Sequence, residues 1–289
     1  MSMHGLAGTF PSSVAGLAAA TSLNAGNRLP WLGLGVWQIS GDDETEKVVR
    51  SAIDVGYRSI DTARIYGNER GVGRAIRSCG VPREQLFVTT KVWNDDIRAG
   101  RIEAAFDQSM KQLGLEYVDL YLVHWAMPGK VASTWKAMER LLHTGRVRAI
   151  GVSNHARPHL DEILAVAEVK PAVNQIEFHP YLQSRPLVEF CLAQGIRPEA
   201  WSPLMVGGSV LTDPVLSEVA RRHGKTVAQV ILRWDVQRGV VTIPKTVRPE
   251  RMRENAAIFD FELDAGEMAA IDALDRGHRT GADPLNVPF

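Results

Sequence analysis

Four side chains of this 289-residue chain could do proton chemistry together. Asp61 follows the apolar run YRSI, Lys91 follows FVTT and His124 follows VDLYLV. If these runs are successive strands, an acid, a cation and an imidazole converge at three strand ends. Tyr66 lies in the loop just after Asp61 and can join them. A free phenol has a pKa of about 10, too high for easy proton exchange at neutral pH. An ammonium beside it favours the phenolate and lowers that value. Lys91 would supply the charge, Asp61 would hold Lys91, and His124 could donate or accept a hydrogen bond at a substrate oxygen. Tyr66 then reads as a general acid for a carbonyl oxygen. Protonating a carbonyl oxygen calls for hydride at its carbon, which no side chain delivers and a nicotinamide cofactor does.

Further polar residues end or occupy apolar runs. Ser153 and Asn154 follow AIGV, Gln175 lies within AVNQIEF, and Lys245 follows VVTIP. In IPKTVRPERMREN, Lys245, Arg248 and Arg251 surround the start of a helix. Three cations at a helix N-terminus make an anion site suited to the 2′-phosphate of NADP. Trp37, Trp93, Trp125 and Phe178 fall beside these segments. They could wall an apolar pocket, with ordinary core packing as the competing reading for each.

The elements that must position these residues alternate along the chain. Strands are expected at 32–37, 57–63, 87–93, 118–125, 149–154, 172–178, 196–204 and 239–245. Helices are expected at 46–56, 69–80, 101–114, 135–145, 159–167, 186–195, 226–239, 249–259 and 264–274. Pro198 weakens the seventh strand, because proline cannot donate to a ladder. Strand–helix alternation implies parallel strands with crossover helices, and eight such units imply a closed α/β (β/α)8 barrel of the TIM type. A doubly wound open sheet is the alternative. In a barrel, the C-terminal strand ends carry the active site. Residues 1–20 read as a poorly ordered extension and 21–289 as one barrel domain.

Lysine plus arginine and aspartate plus glutamate are both 33, so the net charge is zero and a whole-chain attraction for nucleic acid is not expected. Two cysteines exclude a disulfide scaffold or a cysteine zinc cluster and suit a reducing, cytoplasmic setting. No apolar stretch is long enough for a membrane helix, and no metal is expected. Three near-motifs fail on detail. GVSNH has His155 where a nucleophile elbow needs glycine, VARRHGKT lacks the first P-loop glycine, and GVGRAI sits in a helix.

The segments LGLGVWQ, SIDTARIYGNERGVGRAI, VTTKVWN, VDLYLVHW, IGVSN, VNQIEFHP, AWSPL and IPKTVRPERMREN together resemble the aldo-keto reductase superfamily from about residue 22 onward. The RTGADPLNVPF ending looks most like bacterial 2,5-diketo-D-gluconate reductase-like members. The resemblance implies a catalytic tetrad of Asp61, Tyr66, Lys91 and His124. It implies that Ser153, Asn154 and Gln175 hold the nicotinamide carboxamide. It assigns Lys245, Thr246, Arg248 and Arg251 to the 2′-phosphate, and Glu254 and Asn255 to the adenine end. Val36, Trp37, Trp201, Ser202, Leu204 and Val247 complete the implied cofactor set. Trp201 stands where a tyrosine usually stacks on the nicotinamide, and Thr246 replaces a common serine. MVGG (205–208) is unusual for the loop that should cover the pyrophosphate. The implied activity is reduction of aldehydes or ketones by NADPH in a monomer: dicarbonyl, aromatic or sugar-derived carbonyls, 2,5-diketo-D-gluconate among them. An NADPH-binding redox sensor with little turnover is the other function considered.

Overall fold

Short runs buried on both faces form the centre of the molecule, as strands enclosed by helices must be. The computed structural model describes residues 16–287. A hairpin, β1 (Ala20–Ser22) and β2 (Arg28–Pro30), precedes the barrel. The barrel strands are β3 (Leu34–Gly35), β4 (Ser59–Asp61), β5 (Phe87–Val92), β6 (Leu120–Val123), β7 (Ile150–Ser153), β8 (Val173–Glu177), β9 (Arg197–Trp201) and β10 (Val241–Thr242). They pair in parallel in sequence order. A parallel bridge between Leu32 and Thr242 joins the two ends, with Gly33 N donating to Thr242 O at 3.0 Å. That contact makes the sheet a closed TIM-type barrel and removes the open-sheet alternative.

Helices α1 (Asp42–Val55), α2 (Glu69–Ser78), α3 (Asn94–Arg98), α4 (Ile102–Leu113), α5 (Val131–His143), α6 (Arg157–Leu164), α7 (Arg185–Ala193), α8 (Pro214–His223), α9 (Val227–Gln237), α10 (Pro249–Ala256) and α11 (Ala265–Asp272) follow the strands. Side-chain caps start three of the later ones, α8, α9 and α11. Thr226 Oγ1 accepts from Gln229 N while Gln229 Oε1 accepts from Thr226 N, a reciprocal box that opens α9. Asp213 and Asp264 cap α8 and α11.

One apolar core joins β3–β7 to the surrounding helices, and a second joins β8 and β9 to α8, α9 and α11. The hairpin adds to the first: Leu29 and Trp31 are buried, and Asn27 Nδ2 donates to Asp119 O at 3.2 Å. Ala20 already belongs to β1, and residues 1–15 of the expected extension lie outside the described residues. Every barrel strand is shorter than the sequence suggested, and for the seventh and eighth the reason lies in particular residues. The seventh ends at Trp201, because Ser202 turns to φ 50° and Pro203 follows. The eighth pairs only at Val241 and Thr242, since Pro244 has no N–H to give. Pro198 is tolerated because pairing of β9 with β10 begins one residue later, at Glu199.

Candidate active site

The strand registers bring the chemistry-bearing side chains together at one end of the barrel. Asp61 closes β4, and Lys91 is the penultimate residue of β5. Lys91 is fully buried, and its Nζ lies 2.5 Å from Asp61 Oδ1 and 2.9 Å from Thr62 O. Burial alone would discharge this lysine. Asp61, through its charge and its hydrogen bond, does most to outweigh burial, and the pKa moves up. Lys91 is therefore a fixed cation.

Tyr66 ends a single 3-10 turn, Arg64–Tyr66, which Gly67 closes at φ 69°. Asn68 pins the following chain. Its Nδ2 donates to Val36 O at 2.9 Å, and its Oδ1 accepts from Thr62 Oγ1 at 2.8 Å. Arg64 ties the turn to Asp96 of α3 at 2.8 Å. The Lys91 ammonium lies 5.2 Å from the centre of the Tyr66 ring. The phenol pKa moves up, not down as expected. Enclosure of the hydroxyl is the largest effect, and it exceeds the downward pull of Lys91, with Asp61 adding to the rise.

His124 follows β6 and packs edge-on to Tyr66 and Trp93, with ring centroids 5.8 and 5.1 Å away. Burial and then the Lys91 charge hold its pKa well below the usual imidazole value, so His124 is neutral at pH 7. Its Nδ1 is buried and has no hydrogen-bond partner among the described residues.

Ser153, Asn154 and Gln175 gather beside these four. Ser153 Oγ donates to Gln175 O at 3.1 Å. Asn154 adopts φ 57°, and its Nδ2 donates to His124 O at 3.1 Å. Trp201 Nε1 donates to Asn154 Oδ1 at 2.8 Å. A tyrosine ring has no N–H at this place, so the indole ties the aromatic face to the amide in a way that a tyrosine could not. Gln175 Nε2 donates to Asp61 Oδ2 at 2.8 Å and to Glu199 Oε2 at 2.7 Å.

Glu199 was not anticipated. It is fully buried and pairs in register with Gln175. Burial, then the charge of Asp61, push its carboxyl up to about 8. Its signal in the sequence was weak: an acid two residues before Trp201, hence on the same face of β9. Glu177 was also missed. Its carboxylate accepts from Thr280 N at 2.6 Å and Thr280 Oγ1 at 2.5 Å, which ties the C-terminal segment to the barrel mouth. There Gly281 lies so close to Trp201 that an added Cβ would overlap the indole.

The basic segment follows β10. Lys245, Arg248 and Arg251 are exposed at the start of α10, and none forms an ion pair among the described residues. Most other arginines of the described chain are paired. Thr246 is buried, with its Oγ1 accepting from Arg248 N at 3.2 Å. Val247 is exposed. Glu254 Oε1 accepts from Thr226 Oγ1 at 2.8 Å, so this carboxylate joins α10 to α9, and Asn255 is buried. Val36 is buried, Ser202 and Leu204 are half-buried, and the 205–207 turn places Met205 and Val206 at positive φ.

The aromatic residues divide. Trp37 is 49% exposed, Trp93 is half-buried against His124, and Trp125 is buried beside it in sequence. Phe178 is not an open wall. It is 2% exposed and stacks on Trp234 at 4.9 Å within the second core. A cleft of about 940 Å³ opens beside the mouth, lined by residues of α2, α3 and α4 with Arg64 and Trp93. None of Asp61, Tyr66, Lys91 or His124 lines it, and its charges are largely paired with one another. Among the described residues no group of three or more His, Cys, Asp or Glu side chains is placed to hold a metal, and no helix is long and apolar enough to cross a membrane.

A model of the aldo/keto reductase family matches residues 31–276. The chain belongs to the aldo/keto reductase family. It is 52% identical over 273 residues to the glyoxal reductase of Bacillus subtilis, covering 94% of this chain and 99% of that one. It is 46% identical over 265 residues to a putative methylglyoxal reductase, DkgA, of Salmonella typhi, covering 91% and 95%. An aldo/keto reductase crystal structure from Brucella melitensis superposes with TM-score 0.85 at 47% identity, covering 89% of this chain and 99% of that one. A mutant of Gox0644 solved in complex with NADPH superposes with TM-score 0.89 at 43% identity, covering 96% and 100%. The two solved structures share the fold over nearly the whole chain, and the family match spans the strand ends that carry Asp61, Lys91 and His124.

Proposed function

We propose that this aldo/keto reductase reduces small aldehydes and ketones to alcohols with NADPH, and that Tyr66 is the proton donor. The observation that carries this reading is the packing of Tyr66 between a fixed Lys91–Asp61 pair and a neutral His124. NADPH fits the residues present. Three exposed cations without acid partners at the start of α10 suit a 2′-phosphate, with Thr246 adding a hydroxyl. Ser153, Asn154 and Gln175 offer polar groups to the carboxamide, and Trp201 offers a flat face to the nicotinamide ring. Val36, Trp37, Ser202, Leu204 and Val247 flank the same path. When bound, NADPH supplies hydride to the carbonyl carbon.

The chain supplies the rest. Tyr66 Oη gives its proton to the carbonyl oxygen. The Lys91 cation beside the ring favours the phenolate left behind, and Asp61 keeps Lys91 charged and in place. His124, uncharged, can hold the carbonyl oxygen through a ring N–H without competing as an acid. Trp37, Trp93 and Trp125 exclude water from the reacting carbon. Glyoxal and methylglyoxal are the first substrates to consider, because two relatives carry those names. Their small size suits the crowded mouth, and a diketo sugar acid belongs in the same panel.

Tyr66→Phe tests the assignment. Loss of a general acid should lower kcat by about 10²–10⁴-fold, while the Kd for NADPH stays within about twofold, since the phenol oxygen makes no contact assigned to the cofactor. Wild-type turnover in Tyr66→Phe would overturn it.

A further inference from the structure

The Gln175 amide has two ends of nearly the same shape and opposite hydrogen-bonding character. Its neighbours decide which end points where. Two carboxyl groups meet it through Asp61 Oδ2 at 2.8 Å and Glu199 Oε2 at 2.7 Å, and both oxygens accept from Nε2. Asp61 Oδ2 takes one N–H and Glu199 Oε2 the other, so both N–H groups are engaged and the carbonyl oxygen is left on the other side. All three side chains are buried, which makes an unmatched donor or acceptor there costly. We propose that Glu199 is a positioning residue, holding the Gln175 amide so that its carbonyl oxygen receives an N–H of the nicotinamide carboxamide. This rests on the NADPH-dependent reading above.

The surroundings of Glu199 support a role through Gln175. Asp61 reaches it from β4, Lys91 from β5 and Gln175 from β8, while β10 sets Val241 beside it in register. Lys91 already holds Asp61 and Thr62 O, so it gives Glu199 no direct bond. Burial and Asp61 keep the Glu199 carboxyl protonated at neutral pH. It therefore adds an acceptor for Gln175 without adding a second negative charge against the Asp61–Lys91 pair.

The test compares two cofactors that differ only at the carboxamide: NADP+ and its 3-acetylpyridine analogue, in which methyl replaces the NH2. Dissociation constants are measured by tryptophan quenching for wild type, Glu199→Gln and Glu199→Met. In Glu199→Gln the group at 199 carries two N–H donors in place of the single O–H of the carboxyl, so Gln175 can turn its carbonyl oxygen toward it. In Glu199→Met the second acceptor is gone. Both variants should bind NADP+ about fivefold more weakly, the worth of one hydrogen bond. Both should bind the acetyl analogue within twofold of wild type, because it has no N–H to lose. Equal weakening of both cofactors would show a merely structural role and overturn the proposal, as would no weakening of either. Failure of wild type to bind NADP+ at all would instead overturn the NADPH-dependent reading.

Discussion

A carboxyl group enclosed beside another carboxylate leaves a mark on stability that activity assays do not see. The Glu199 pKa in the fold is about 8, against 4.5 for an ordinary glutamate. The folded state therefore binds more protons than the unfolded one between those values. Its contribution is fully present below about 4.5 and is lost as pH rises through about 8. His155 acts in the opposite sense. Burial lowers it to about 3, so its contribution is present above its unfolded value of 6.5 and lost as pH falls toward 3. Urea midpoints of wild type and Glu199→Gln across pH 5 to 8.5 separate the two. The wild type should lose more stability with rising pH than the variant, and parallel curves would show that Glu199 titrates normally. At this scale Asp61, Lys91 and His124 were legible, because each is a polar residue ending an apolar run. The direction of the Tyr66 shift was not, because it depends on how deeply the hydroxyl is enclosed. Glu199 was hidden by its setting, an acid inside a proline-containing strand that pairing, not composition, turns inward.

Elements carry the next layer of constraint. Helices α2 and α4 touch at Gly73, where a Cβ would overlap the carbonyl of Leu113. Gly73→Ala should destabilise the fold by about 1–3 kcal/mol, the usual range for overpacking, read as a fall in the urea midpoint at unchanged KM. The C-terminal segment is a strap held by Glu177 against Trp201. Gly281→Ala should push the indole off its bond with Asn154, shift the tryptophan emission and raise KM for NADPH several-fold with little change in kcat. An unchanged KM would mean that the strap does not seat the platform. The order of the strands and of nine helices was legible from periodicity, with most boundaries to within a few residues, but α3 and α8 were not expected. The hairpin of β1 and β2 was not, because its three-residue strands carry no alternation to read. Nor was the strap, whose anchor lies 103 residues away at Glu177.

The whole molecule is neutral, yet its charge is not evenly placed. Lysine plus arginine equals aspartate plus glutamate at 33, and about half of the cations of the described chain are tied to acids. Lys245, Arg248 and Arg251 cluster, exposed and without acid partners among the described residues, at one mouth of the barrel. Replacing Arg251 or Lys245 with methionine should lower the preference for NADPH over NADH by about tenfold, as expected for loss of one charge-assisted contact to phosphate. Turnover with NADH should hardly change. The closed barrel followed from eight alternating units, but closure itself depends on the Leu32–Thr242 bridge, a contact across 210 residues that no local pattern contains.

The most direct test of the account is the rate of cofactor oxidation in the presence of methylglyoxal, measured with NADPH and with NADH. The account predicts steady turnover with NADPH, much slower turnover with NADH, and loss of the NADPH rate in Tyr66→Phe. Tight binding of NADPH without oxidation against methylglyoxal, glyoxal, an aromatic aldehyde or a diketo sugar acid would contradict it.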